Sequence, residues 1–142
     1  MARDLPIHTH YCGVSGDDLY RHWTRGNYTL AGVEPLDGVE AKQYLTAIGE
    51  HLPLGSFCIL ISHGYNFISI VDGKLRVATI MAALDGKIVL PRGVRESIIR
   101  DTMYPVCKIG MELDMDKFSE QEREKLDDML VRVRKNLNSK WE

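Results

Sequence analysis

The sequence has no long apolar run and no paired cysteine motif. The run Phe57 to Ile61 is as long as any, and a membrane helix needs roughly 18 to 20 apolar residues. The N-terminus also lacks the apolar stretch of a signal peptide. The cysteines Cys12, Cys58 and Cys107 are widely spaced, without a CxxC pair. We therefore expect no membrane partner, and reduced thiols in a cytoplasmic protein.

Basic excess and phosphate-binding loops are absent as well. The formal net charge is −2 and the pI is near 6.2, so nothing in the totals attracts a phosphate backbone, and nucleic acid is not an expected partner. The patterns GxxxxGK[ST] and GxGxxG do not occur. With 44% hydrophobic residues and only 5 prolines among 142 residues, the composition predicts one folded domain over residues 1–142 that needs no cofactor.

The stretch Gly55 to Leu90 contains most of the β-prone residues. Short apolar runs predict strands at Ser56–Ser62, Asn66–Val71, Leu75–Met81 and Lys87–Leu90. Two Asp-Gly pairs between them are typical of tight hairpin turns, which favours an antiparallel meander. Val106–Leu113 offers a further strand, so we predict an α+β fold with a mainly antiparallel sheet of four to five strands.

Helices are predicted on both sides of this sheet. An apolar stripe predicts an amphipathic helix from Gly38 to Leu52. Ser119 and Glu122 have the spacing of a capping box and open a long C-terminal helix over residues 119–138. Shorter helices are expected at Gly16–Arg25 and between Pro91 and Pro105. Residues 1–14 form either a strand or an ordered N-terminal arm.

The N-terminal segment places ligand-type side chains close together. His8, His10 and Cys12 could hold zinc or iron if they share one side of an extended segment. The other histidines do not supply an evident remainder of such a site, so we favour surface or partner-packing roles and expect no metal.

Rings and arginines give a second set of candidates. Rings with polar tips suit half-buried contact surfaces, although they would equally form a small second core. Arginines at the start of a helix can bind a phosphate or carboxylate, or remain solvated. The candidate partner-binding residues are His8, His10, Tyr11, Tyr20, His22, Trp23, Arg92 and Arg95.

Nucleophilic catalysis needs a nucleophile, a base within hydrogen-bond reach and a group that orients the base. Cys12 precedes a predicted helix, whose dipole would favour its thiolate. His63 follows the first predicted strand of the central stretch, and Asp72 ends the next. These three residues form the candidate catalytic set.

The segment YLTAIGEHLPLGSFCILISHGYNFISIVDGKLRVAT, Tyr44 to Thr79, resembles the second half of papain-like, half-barrel cysteine-peptidase domains. The resemblance rests on apolar spacing and a DG turn over a quarter of the chain. It implies a cysteine-dependent hydrolase fold. The positions that hold the base and the acidic group in such domains fall on Asn66 and near Val77, so a catalytically inactive relative used for binding fits this departure better.

Two functional hypotheses follow. The first is a non-enzymatic protein-interaction or inhibitor module, such as a small phage or bacterial accessory protein, that binds another protein and forms a homodimer through its C-terminal helix. Val131 and Trp141 lie outside the main apolar face of that helix and motivate the homodimer. The alternative is a papain-like hydrolase with Cys12 as nucleophile, His63 as base and Asp72 as orienting group.

Overall fold

The computed structural model describes residues 5–52, 54–64, 66–90 and 93–136, with side chains to residue 133. The predicted α+β fold is confirmed. The strands are β1 (Ile7–Ser15), β2 (Phe57–Ile61), β3 (Phe67–Asp72) and β4 (Met103–Met111). The helices are α1 (Gly16–Thr24), α2 (Gly38–Gly49), α3 (Lys74–Leu84), α4 (Val94–Glu96) and α5 (Glu120–Asn136), with a π-helical turn at Ser97–Asp101 and a 3₁₀ turn at Met115–Lys117.

The strands form one mixed sheet in the order β1-β4-β2-β3. Strand β1 runs antiparallel to β4, and β2 antiparallel to β3. Strands β2 and β4 are parallel. The predicted meander is therefore wrong in its topology. The chain passes from β3 through α3 and α4 and enters β4 on the other side of β2, at the end where β2 begins, so β4 runs parallel to β2.

Two predicted strands are not strands. Leu75–Met81 lies within α3, and Lys87–Leu90 has no regular structure. Every residue of α3 from Arg76 to Leu84 is buried, so this helix has no polar face and its sequence shows no helical period. The pair Asp72-Gly73 does not form a hairpin turn; Gly73 takes φ 94° and starts α3.

Other expectations agree with the structure. The further strand predicted at Val106–Leu113 corresponds to β4, and of the two alternatives for residues 1–14 the strand is present as β1. Helix α5 is described over 17 residues, Glu120–Asn136, and its predicted end at residues 137 and 138 lies outside the described part of the chain. Its capping box forms: the Ser119 N–H donates to Glu122 Oε1 at 2.9 Å, and the Glu122 N–H donates to Ser119 Oγ at 3.1 Å.

The apolar core has one part on each face of the sheet. On the first face, helices α1, α2 and α3 contribute to one cluster with alternate strand residues; we call this the three-helix face. On the second face, Leu126 and Leu130 of α5 pack with strand residues such as Leu60 and Ile109; we call this the α5 face. Both faces of the central strands are thus covered, as their continuous apolar runs require.

A buried ion pair joins the end of β3 to α3. Arg76 is 2% exposed, and its Nη2 lies 3.8 Å from Asp72 Oδ2. The same nitrogen donates to the Ser56 carbonyl at 3.2 Å, and the guanidinium lies 5.0 Å from the centre of the Phe57 ring. A Cβ at Gly55 would stand 2.5 Å from Arg76 Nη1, so only glycine leaves room for this side chain.

We predict that Gly73→Ala destabilises the protein more than Gly86→Ala does. Both glycines have positive φ, 94° and 79°, so alanine costs about 1–2 kcal/mol at either position. A Cβ at Gly73 would also lie 2.7 Å from Phe57 Cδ1, whereas nothing lies within 4 Å at Gly86. Overpacking adds about 1–3 kcal/mol at Gly73. Urea unfolding of both variants measures the difference, and equal losses would contradict the tight contact with Phe57.

Candidate functional site

The structure does not bring Cys12 and His63 together. Cys12 is in register with Val106, which pairs with Phe57 at the start of β2. His63 follows the other end of β2, beyond Ile61. Four residues at about 3.3 Å each separate the two levels by about 13 Å along the strands, and β4 lies between β1 and β2. A direct hydrogen bond needs roughly 3 Å.

Asp72 is also remote from His63. It pairs with Cys58, at the start of β2, and is 2% exposed. Its carboxylate faces Arg76, in the ion pair that joins β3 to α3. Strands β4 and β2 separate it from Cys12. The geometry therefore gives the proposed nucleophile, base and orienting group no common reaction centre, and the hydrolase hypothesis keeps only its sequence support.

Three histidines do meet at one end of the three-helix face. The rings of His8 and His10 are stacked, with centroids 5.7 Å apart and an interplanar angle of 14°. They share a cavity of about 270 Å³ with His63 and Lys108; we call it the histidine cavity. Its lining residues are His8, His10, Ile61, Ser62, His63, Lys108, Gly110, Met111 and Glu112.

Backbone proximity shapes this cavity. A Cβ at Gly110 would stand 2.5 Å from His8 Nε2, so the His8 ring lies directly over the β4 backbone. Within the described residues, no group of three or more histidine, cysteine, aspartate or glutamate side chains is arranged to hold a metal ion. The cavity instead offers imidazole rings and one ammonium group beside a single carboxylate, Glu112.

The rings of α1 mostly serve packing. His22 stacks on Phe67, with centroids 4.0 Å apart, and its Nδ1 lies 2.8 Å from Asn27 Nδ2. Burial lowers the pKa of His22; nearby arginines and Lys108 lower it further, and Asp18 opposes them. Tyr20 and Trp23 meet edge to face at 5.8 Å and pack against the main core.

The remaining candidates are scattered. Tyr11 is 80% exposed and belongs to the α5 face of β1, opposite to His8 and His10. Arg95 is exposed in the three-residue helix α4. Arg92 lies outside the described residues. The seven partner-binding candidates that the structure describes therefore do not make one continuous site.

A larger surface feature lies where the sequence predicted a strand. A groove of about 580 Å³ runs between α2 and residues 87–90, and its lining is mainly apolar. Val89 is 95% exposed at its edge. We call this the α2 groove. Its lining residues are Leu36, Gly38, Ala41, Lys42, Leu45, Thr46, Lys87, Ile88, Val89 and Leu90.

Helix α2 carries a second concave surface on its other flank. This surface shares Lys42 and Thr46 with the α2 groove, and it includes Val39 and Leu52, which are 72% and 49% exposed. The sequence did not indicate the α2 groove, because Lys87–Leu90 is predicted as a strand of the sheet and instead lies against α2. The available signal was the apolar run itself: without a strand partner, Ile88 and Leu90 pack against the core and Val89 remains exposed.

Comparison with protein-family models, with curated proteins and with solved structures gave no match. No helix in the described part of the chain is both long and apolar enough to span a membrane.

We predict that Cys58 is protected from alkylation in the native protein. It is fully buried, and burial, with Cys107 beside it, raises the pKa of its thiol to about 12. Because the thiolate is the reactive form, iodoacetamide at pH 8 should leave Cys58 unmodified in the folded protein and modify it in urea. Peptide mapping by mass spectrometry reads both states. Equal modification of Cys58 in both would show that the thiol is accessible.

The raised pKa of the Cys58 thiol also predicts that the protein is less stable at alkaline pH. The unfolded thiol ionises near pH 8.5, whereas the folded pKa is raised to about 12. The unfolded state therefore binds fewer protons above pH 8.5, and the contribution of Cys58 to stability falls as pH rises from there towards 12. Burial also raises the pKa of Tyr28, Tyr44 and Tyr104, with the same sign. Urea midpoints that do not fall between pH 8 and pH 10 would contradict this.

Proposed function

We propose that this chain is a non-enzymatic protein-interaction module that binds another protein in the α2 groove. The carrying observation is an apolar groove with Val89 almost fully exposed at its edge. Exposed apolar patches that are rimmed by polar groups mark interaction sites more often than scattered surface residues do. The groove and the second flank of α2 share Lys42 and Thr46, so the two concave surfaces adjoin along the helix.

The chemistry of the groove indicates the partner. Burial of one valine side chain is favourable by about 1.5 kcal/mol or more, so a partner that covers Val89 in the groove and extends over Val39 and Leu52 of the adjoining surface gains a substantial apolar contribution. Lys42 and Lys87 line the groove and would face acidic groups of the partner. The expected ligand is therefore an apolar segment flanked by aspartate or glutamate.

Other features support a role in protein interaction rather than in catalysis. Cys12, His63 and Asp72 are held apart, while the three thiols are free of disulfides. An inactive relative of papain-like domains would need no common reaction centre, in agreement with the departures at Asn66 and Val77. A reducing, cytoplasmic setting and a role as a small phage or bacterial accessory or inhibitor protein are part of this proposal.

The test is site-specific photo-crosslinking in extracts of the source cells. A benzophenone amino acid at Val89 should give a discrete adduct that excess unmodified protein suppresses, because only a saturable site is competed. The same probe at Glu124, exposed on α5, should give no such adduct. Mass spectrometry of the adduct then identifies the partner.

We further predict that Val89→Asp weakens binding of that partner at least tenfold. The side chain is 95% exposed, so folding is unaffected, but the carboxylate would enter an apolar contact and face the acidic flanks of the ligand. Titration of the identified partner measures the change, with Glu124→Gln as the matched control. Unchanged affinity of Val89→Asp, or equal adducts at both probe positions, would refute the α2 groove as the binding site.

A further inference from the structure

Within the described part of the chain, strand β1 is an open edge of the sheet. It lies at one end of the strand order, and its nine residues pair with β4 in continuous register from Ile7 to Ser15. Its sequence, IHTHYCGVS, contains no lysine, arginine, acidic residue or proline. Natural edge strands commonly carry such residues or bulges because an unguarded edge pairs with another strand. Nothing in β1 prevents that pairing.

The hydrogen-bond pattern fixes which backbone groups point outwards. The Glu112 N–H donates to the Pro6 carbonyl at 2.8 Å, so Pro6 and Glu112 form a hydrogen-bonded pair. Such pairs alternate along an antiparallel ladder. The even-numbered residues of β1 therefore bond to β4, and the N–H and C=O groups of Thr9, Tyr11 and Gly13 point to the free edge.

The opposite edge of the sheet differs. Strand β3 has six residues, its pairing with β2 contains two register shifts, and it ends at Asp72. Irregular registers of this kind are a common protection of sheet edges. Of the two sheet edges, β1 is therefore the one suited to pairing with a further strand.

We infer that β1 pairs antiparallel with β1 of a second copy of this chain, with the two-fold axis at Tyr11. In this register Tyr11 faces Tyr11 of the second copy, and Thr9 faces Gly13. All of these are residues whose backbone groups point outwards, so the pairing adds about six hydrogen bonds and joins the two sheets into one.

A second copy fits this edge better than a charged peptide would. The strand carries no formal charge at pH 7, so self-pairing places no like charges opposite each other. Tyr11, 80% exposed in the single chain, would gain an aromatic partner across the axis. An axis at Thr9 would align Ile7 with Tyr11, but the Ile7 N–H already donates to the Leu5 carbonyl at 2.7 Å. An axis at Tyr11 instead uses the outward N–H and C=O groups of Thr9, Tyr11 and Gly13.

Cysteine cross-linking tests the register. In a Cys12→Ser, Cys107→Ser background, Tyr11→Cys places two thiols across the axis, where facing Cα atoms are about 5.5 Å apart and suit a disulfide. Thr9→Cys is the matched control, because its two copies would lie about 13 Å apart along the strands. Mild oxidation should give a covalent dimer of Tyr11→Cys and none of Thr9→Cys. Equal cross-linking of both variants would overturn this register.

Sedimentation equilibrium tests the interface itself. The natural chain should be dimeric at micromolar concentration, and Thr9→Lys should shift it to monomer by placing two charges in the pairing region. Val131→Lys, at a half-exposed position of α5, should leave the dimer intact. A strictly monomeric natural chain would refute the inference. Dissociation by Val131→Lys but not by Thr9→Lys would refute it too, in favour of the C-terminal helix. Neither result would bear on the α2 groove, which contains neither residue.

Discussion

The ion pair between Asp72 and Arg76 fixes the point at which the chain leaves the sheet. Both side chains are 3% exposed, so their desolvation is costly and is offset only by good local contacts. Arg76 supplies them through the Ser56 carbonyl and the Phe57 ring. The start of β2, the end of β3 and the first turn of α3 are thereby held together, and removal of one partner would leave an uncompensated buried charge.

The position of α3 determines the surfaces around it. Buried from Arg76 to Leu84, α3 contacts both α1 and α2. The chain that leaves it must return past α2 before β4 can enter beside β2, and this return leaves Lys87–Leu90 at the surface against α2. The α2 groove is thus a consequence of the crossover. The same crossover puts β4 inside the sheet and β1 at its edge.

Local signals predicted the elements that local interactions specify. Ser119 and Glu122 satisfy each other's amides within one turn, so α5 could be placed from sequence. The pair Asp72-Gly73 could not be resolved in this way, because a hairpin turn and the start of α3 both use positive φ at glycine. Tertiary contacts of the buried Arg76 with the Phe57 ring favour the start of α3 over a hairpin turn. The separation of Cys12 from His63 likewise depends on strand order, which the spacing of residues in the sequence does not reveal.

The two proposed surfaces combine if both are used. Helix α2 contacts α3 and α4, whereas α1 lies against β1, so pairing of two β1 strands would leave both α2 grooves accessible. A dimer would then present two copies of the same groove on one rigid sheet. A partner with two apolar segments, or a partner that is itself dimeric, would bind the second groove as an intramolecular event, with an avidity of about 10²–10⁴ over a single site when the spacing matches. Pairing of two β1 strands would therefore strengthen the binding of such a partner at the α2 groove, although β1 is not part of that groove.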